Sequence, residues 1–163
     1  MNSIGKHTMH FIVDKQYTIS DNDRSNQSAI VPLKIYTNAD LSIKPEDITW
    51  APKEPKSGSK INVSADIHNI GETDAYTVYP WGENHSTSFD VKFLIRSSNG
   101  TESSVTTHYV SKLPAGRTKI IHVPMVIPTN LRSIIVKVDS ENEVLEMEES
   151  INNIVEKPIK LKN

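Results

Sequence analysis

The chain of 163 residues has no cysteine. A disulfide framework and a thiolate metal site are therefore both excluded. It has no apolar run near the ~18 residues that a membrane helix needs. The opening residues, 1–15, carry Lys6 but no apolar stretch of the signal-peptide kind, so no export signal is expected within this chain. Charge of one sign is lacking as well: 18 Lys and Arg face 20 Asp and Glu, for a formal net charge of −2. That balance leaves no electrostatic footprint for nucleic acid. No G-x-S-x-G, Walker loop or H-E-x-x-H occurs.

What is present is β-branched and polar. Ile and Val number 32 against 13 Leu and Ala, and Ser, Thr and Asn together reach 43. Branched side chains lose rotamer freedom in a helix and pack well on a pleated surface. With 36% hydrophobic residues, the composition predicts a thin core between sheets with polar outer faces.

The chain repeats part of itself. At an offset of 125, Val13-Asp14 matches Val138-Asp139, Ile19 matches Val144, and Asp21 matches Glu146. At 126, Asn26-Gln27 matches Asn152-Asn153, and the stretch 32–35 (PLKI) matches 158–161 (PIKL). This period is far beyond that of a solenoid and fits an array of whole domains. Residues 1–37 are expected to be the C-terminal hairpin of a preceding partial repeat, and 38–163 a complete domain, joined by the short stretch 37–40 (TNAD). On that reading the chain is a piece whose export signal lies outside it.

Alternation predicts the strands of 38–163. Ile61, Val63, Ala65 and Ile67 share one face, with Asn62, Ser64, Asp66 and His68 on the other. Phe89, Val91, Phe93 and Ile95 repeat the pattern. Further strands are expected at 41–50, 105–113, 118–127, 132–139 and 153–161. Pro124 marks the fifth of these seven as an edge or a bulge. Asn99-Gly100 is a strong hairpin signal. Seven short strands with regular turns predict an all-β fold, an antiparallel β-sandwich. The acidic run 142–150 has room for one helical turn between strands.

Several stretches resemble the CARDB family, the cell adhesion related domain found in bacteria and in archaeal surface proteins. They are 39–43, 48–75 with the turn Asn69-Ile70-Gly71, 112–128 with its Leu-Pro-Ala-Gly turn, and 136–154 with Asp139, Glu146, Asn152 and Asn153. The resemblance implies an immunoglobulin-like seven-stranded sandwich without enzymatic activity or cofactor. It also implies one module among several in a secreted or surface-anchored protein, with neighbouring domains, surface proteins or glycans as partners. The connection between Ala75 and Phe89 is about ten residues longer than the resemblance leads one to expect.

Four groups of residues invite a chemical reading. Asp139, Glu141 and Glu146, within an acidic run, could offer oxygen ligands to Ca²⁺. The partial repeat replaces several of those acids, which favours a turn-shaping role for Asp139, Glu146, Asn152 and Asn153. Tyr76, Tyr79 and Trp81 on the long connection could stack on a sugar, or else cap the sandwich end. Trp50 reads as core. The six histidines, at 7, 10, 68, 85, 108 and 122, have no metal-ligand spacing. Asn26, Asn62, Asn84 and Asn99 lie in N-x-S/T sequons, of which Asn62, Asn84 and Asn99 are expected to be accessible for glycosylation.

Overall fold

A computed structural model describes residues 5–35, 38–76, 88–146 and 152–162. The chain divides into two compact units, Met1–Thr37 and Asn38–Asn163.

The first unit is a two-stranded antiparallel ribbon. β1 (Gly5–Ile12) pairs with β2 (Ser28–Ile35), in a register running from Gly5 opposite Ile35 to Ile12 opposite Ser28. The connecting turn contains one 3₁₀ turn, Arg24–Asn26, capped by the Asp23 side chain.

The second unit is a sandwich. In chain order it contains β3 (Leu41–Ser42), β4 (Ile48–Ala51), β5 (Lys60–Asn69), β6 (Phe89–Ser97), β7 (Glu102–Val110), β8 (Thr118–Val126), β9 (Leu131–Val138) and β10 (Ile154–Pro158). One sheet has the order β10-β9-β6-β7. In the other, β8 pairs along the length of β5, and β3 and β4 both pair with β5 antiparallel. β3 and β4 are thus two segments of one edge strand. They are interrupted at the 3₁₀ turn Pro45–Asp47, where proline begins the turn and supplies no ladder donor. Counted so, the sandwich has seven strand positions: the antiparallel β-sandwich that alternation predicts, in the immunoglobulin-like arrangement that the family resemblance implies.

The core lies between the two sheets. Ile61, Val63, Ala65 and Ile67 of β5 are buried, as are Phe89, Val91 and Phe93 of β6 and Ile134, Val136 and Val138 of β9. Each such side chain contributes about 1.5–3 kcal/mol on leaving water. On β5 the predicted inward positions are buried, and Asn62 faces solvent.

Three details differ from the sequence expectation. The strand expected at 105–113 runs from Glu102 to Val110 instead. Gly100, at φ 88°, closes a tight turn with Gly100 N–H on the Ser97 carbonyl, so the strand resumes at once through the polar residues Glu102, Ser103 and Ser104. These residues sit at an edge, where alternation has no buried face to reveal it. The single strand expected at 41–50 is broken in two. Trp50 is half-buried rather than central: it packs on the rim of the core, with the Lys157 ammonium 5.3 Å from its ring centre.

The ends of the sandwich are set by β5. At its Asn69 end the incoming chain pairs Leu41 with Asn69. At its Lys60 end the outgoing chain donates Lys162 N–H to the Pro55 carbonyl, while Gly58 N–H bonds Ile127. Ten strand residues separate the two, about 30 Å at ~3.3 Å each. The chain therefore comes in at one end of the sandwich and leaves at the other.

Candidate functional site

The residues of the repeated closing pattern and of the family-like turn Asn69-Ile70-Gly71 gather at the end where the chain comes in. Asn69 is the hub. Its side-chain oxygen accepts from Asp40 N–H at 3.2 Å and Gly71 N–H at 3.1 Å, and its amide donates to the carbonyls of Thr73 at 2.8 Å and Leu113 at 2.9 Å. The side chain is buried with its hydrogen-bonding capacity filled, the condition under which a buried amide is affordable. Gly71 lies against the backbone of the incoming chain. A Cβ there would meet Asn38 O at 2.5 Å and Asp40 N at 2.6 Å, so any side chain would push the two segments apart. The Leu-Pro-Ala-Gly turn is pinned to the same spot by Gly116 N–H on the Asn69 carbonyl and Ala115 N–H on the Asp74 carboxylate.

Asp139 closes β9. It adopts the left-handed conformation, φ 48°, as does Asn142, φ 53°. Its two carboxylate oxygens accept from Glu143 N–H at 2.9 Å and Val144 N–H at 2.8 Å, and its own N–H donates to the Asp90 carbonyl at 2.7 Å. The buried Glu146 continues the lock. One oxygen accepts from Leu41 N–H and the other from the Asn153 side-chain amide at 2.8 Å. Asn152 donates its amide to Asp40 Oδ1 at 2.7 Å, and its carbonyl accepts from Ile43 N–H. Glu146 and Asn152 thereby reach back more than a hundred residues and tie the closing hairpin to the incoming strand.

The same geometry recurs in the first unit. Asp14 and Tyr17 have φ of 47° and 56°. Asp14 accepts from Thr18 N–H at 2.7 Å and Ile19 N–H at 2.9 Å, and these contacts, the Ile19 N–H first, hold its carboxyl below the usual range. Val13 N–H donates to the Gln27 carbonyl as Val138 N–H does to Asn153. Gln27 donates to Asp21 at 2.8 Å as Asn153 does to Glu146. Arg24 braces the turn from outside, donating to the Ile19 carbonyl and lying over the Tyr17 ring.

The acidic residues offered to calcium have other engagements. Asp139 and Glu146 hold backbone and amide groups as described, and Glu141 pairs with Lys92, whose pKa that contact raises. Among the described residues no group of three or more His, Asp or Glu is placed to hold a metal ion. His68 bonds Thr118 Oγ1 through Nδ1 at 2.8 Å and approaches Asp47 through Nε2 at 3.2 Å, and His108 packs edge-on against Phe93. Tyr76 is exposed beside the bridge that joins Ala75 to Leu113. Tyr79, Trp81, Asn84 and His85 lie outside the described residues. Asn26, Asn62 and Asn99 are exposed. The sequence reading did not single out Asp40 as a partner of Asn69 and Asn152. No local spacing signals that contact, because it joins three distant segments.

These features define a β-sandwich module of the immunoglobulin type, closed by a carboxylate–amide lock. The profile of the CARDB family matches residues 38–157, and the chain belongs to that family. Its fold is similar to a CARDB domain from Pyrococcus furiosus solved in complex with di-metal ions, at 21% identity and TM-score 0.56, covering 78% of this chain and 97% of that one. It is also similar to a domain assigned to a cell surface protein of Methanosarcina acetivorans, at 22% identity and TM-score 0.52, covering 78% and 94%. No curated protein matches the chain.

Proposed function

We propose that the chain is a non-catalytic part of a multidomain cell-surface or secreted protein, acting as a spacer and display module outside the cell, with adhesion through loops at the sandwich ends. The observation that carries this reading is the position of the chain ends in 38–163. The chain comes in beside Asn69 and leaves beside Pro55, at opposite ends of β5. Modules linked through such ends add their lengths, about 30 Å of strand each. The second support is the partial repeat. Residues 1–37 are the closing hairpin of a preceding CARDB-like repeat, and the join is too short to act as a flexible linker. In this role Asn69, Gly71, Asp139, Glu146, Asn152 and Asn153 are structural residues. They fix the end of the module at which the chain comes in.

Small-angle scattering on a protein carrying two successive copies of residues 38–163 tests the spacer reading. A narrow distance distribution, extended to the length of two sandwiches, is expected. A broad distribution of the flexible-linker kind would sink it. Carbohydrate binding through Tyr76, Tyr79 and Trp81 is the competing reading, and the exposure of Tyr76 is its one structural support. A glycan array decides between them: binding by the native chain that is lost in Trp81→Ala would replace the spacer reading.

A further inference from the structure

The ribbon β1–β2 presents a face that its counterpart buries. Shifting β1 by 125 and β2 by 126 superimposes the two registers pair for pair. Phe11 opposite Ala29 becomes Val136 opposite Val155, and Thr8 opposite Pro32 becomes Ser133 opposite Pro158. Met9, Phe11, Val13 and Ile19 are 45%, 52%, 66% and 65% exposed, whereas Ile134, Val136, Val138 and Val144 at the same places are 1%, 0%, 1% and 2% exposed. Four large apolar groups at core positions stand in water, each forgoing about 1.5–3 kcal/mol.

We infer that this face is an interaction surface for an open sandwich of the same fold, one that supplies the equivalents of β3–β8 and lacks its own closing hairpin. The second unit shows what covers such a face. β6 pairs with β9 along one edge, Val91 opposite Val138 and Phe93 opposite Val136, and the facing sheet fills the other side of the core. β1 has no second strand partner among the described residues, so its outer edge is available for the same ladder. A complete sandwich is not the occupant, because β9 already takes that edge of β6.

The polar lock supports the match. The closed sandwich pairs Glu146 with Asn153; the ribbon pairs Asp21 with Gln27 at the same 2.8 Å. The acid is one methylene shorter and the amide one longer, so the bridge keeps its reach. That compensation suits a ribbon built for the same end of the same sandwich. The inference rests on the tandem-repeat reading, since the open sandwich is the upstream part of a preceding repeat.

The test joins residues 38–131 directly ahead of residues 7–163, so that Leu131 runs into His7 as it natively runs into Arg132. Amide exchange at 9–13 and 29–31 is compared with that of the chain 1–163. Closure predicts exchange slowed by about 100-fold or more, as for amides that open only with the whole domain. A parallel protein carries 132–163 at the same junction, which restores the native covalent order of the sandwich. Protection in the parallel protein without protection of β1–β2 overturns the proposal, whether the added strands fold apart or stay unfolded. A protected ribbon together with a broad scattering distribution would sink the rigid spacer and leave this inference standing.

Discussion

The hairpins β9–β10 and β1–β2 share their register, the left-handed backbone at two turn positions, and a carboxylate holding the same two amides. One lines a core and the other stands bare. The turn is thus a local device. An Asp in the left-handed region can satisfy amides four and five residues on with no help from tertiary packing. Burial is not local, because it needs a second sheet. Stability should therefore follow the core, while turn geometry follows the turn sequence.

Core truncation should separate the two hairpins most. Ile134→Ala is expected to lower the stability of 38–163 by about 3–4 kcal/mol in urea or thermal melting, through lost transfer energy and a cavity. Met9→Ala, at the equivalent place, should leave that melting unchanged. Equal effects would end the distinction between a packed and a bare face.

The turn carboxylates come next. Asp139→Ala strands two amides inside the protein and should cost about 2–3 kcal/mol. Asp14→Ala should speed exchange at the Thr18 and Ile19 amides and leave the melting of 38–163 where it was. A smaller effect probes the compensating lengths. Glu146→Asp and Asn153→Gln are each expected to destabilise, and the double variant to lose less than their sum, by about 1 kcal/mol. Strict additivity would mean that the Asp21–Gln27 pair is no substitute for Glu146–Asn153.

Acid gives the smallest effect. Asp14, Asp21 and Asp23 all have lowered pKa values, each mainly through hydrogen bonds: Asp14 from Ile19 N–H, Asp21 from Asp23 N–H and Asp23 from the Ser25 hydroxyl. A carboxyl held below its unfolded value stabilises the turn above that value, about 3.9, and the contribution fades as the pH falls through the folded value. Amide shifts of Thr18, Ile19 and Ser25 should therefore hold steady above about pH 4 and move together below it. A transition above pH 5 would contradict the hydrogen-bond origin of the shifts.

Much of this was legible in the sequence. The inward faces of β5 and β6 follow from alternation, because one buried face leaves a period of two. The hairpin at Asn99-Gly100 follows from a residue able to take positive φ. The repeated Asp, acid and amide are visible as a pattern at offsets of 125 and 126. The start of β7 was not legible, since an exposed edge has no apolar face to mark it. Nor was the break between β3 and β4, which depends on both segments finding the same edge of β5. The contacts of Glu146 with Leu41 and of Asn152 with Asp40 span more than a hundred residues and leave no trace in local spacing.

Local sequence sets the inward faces of β5 and β6, the turns and the repeated closing pattern, because propensity, periodicity and Asx chemistry act within a few residues. The second sheet, which exists only in the tertiary structure, is what makes β9–β10 a core element, and tertiary pairing is what carries the chain across its module from end to end. Burial and through-going connectivity depend on which strands come together, and one stretch of sequence carries the same local instructions whether or not a partner sheet is there to cover it.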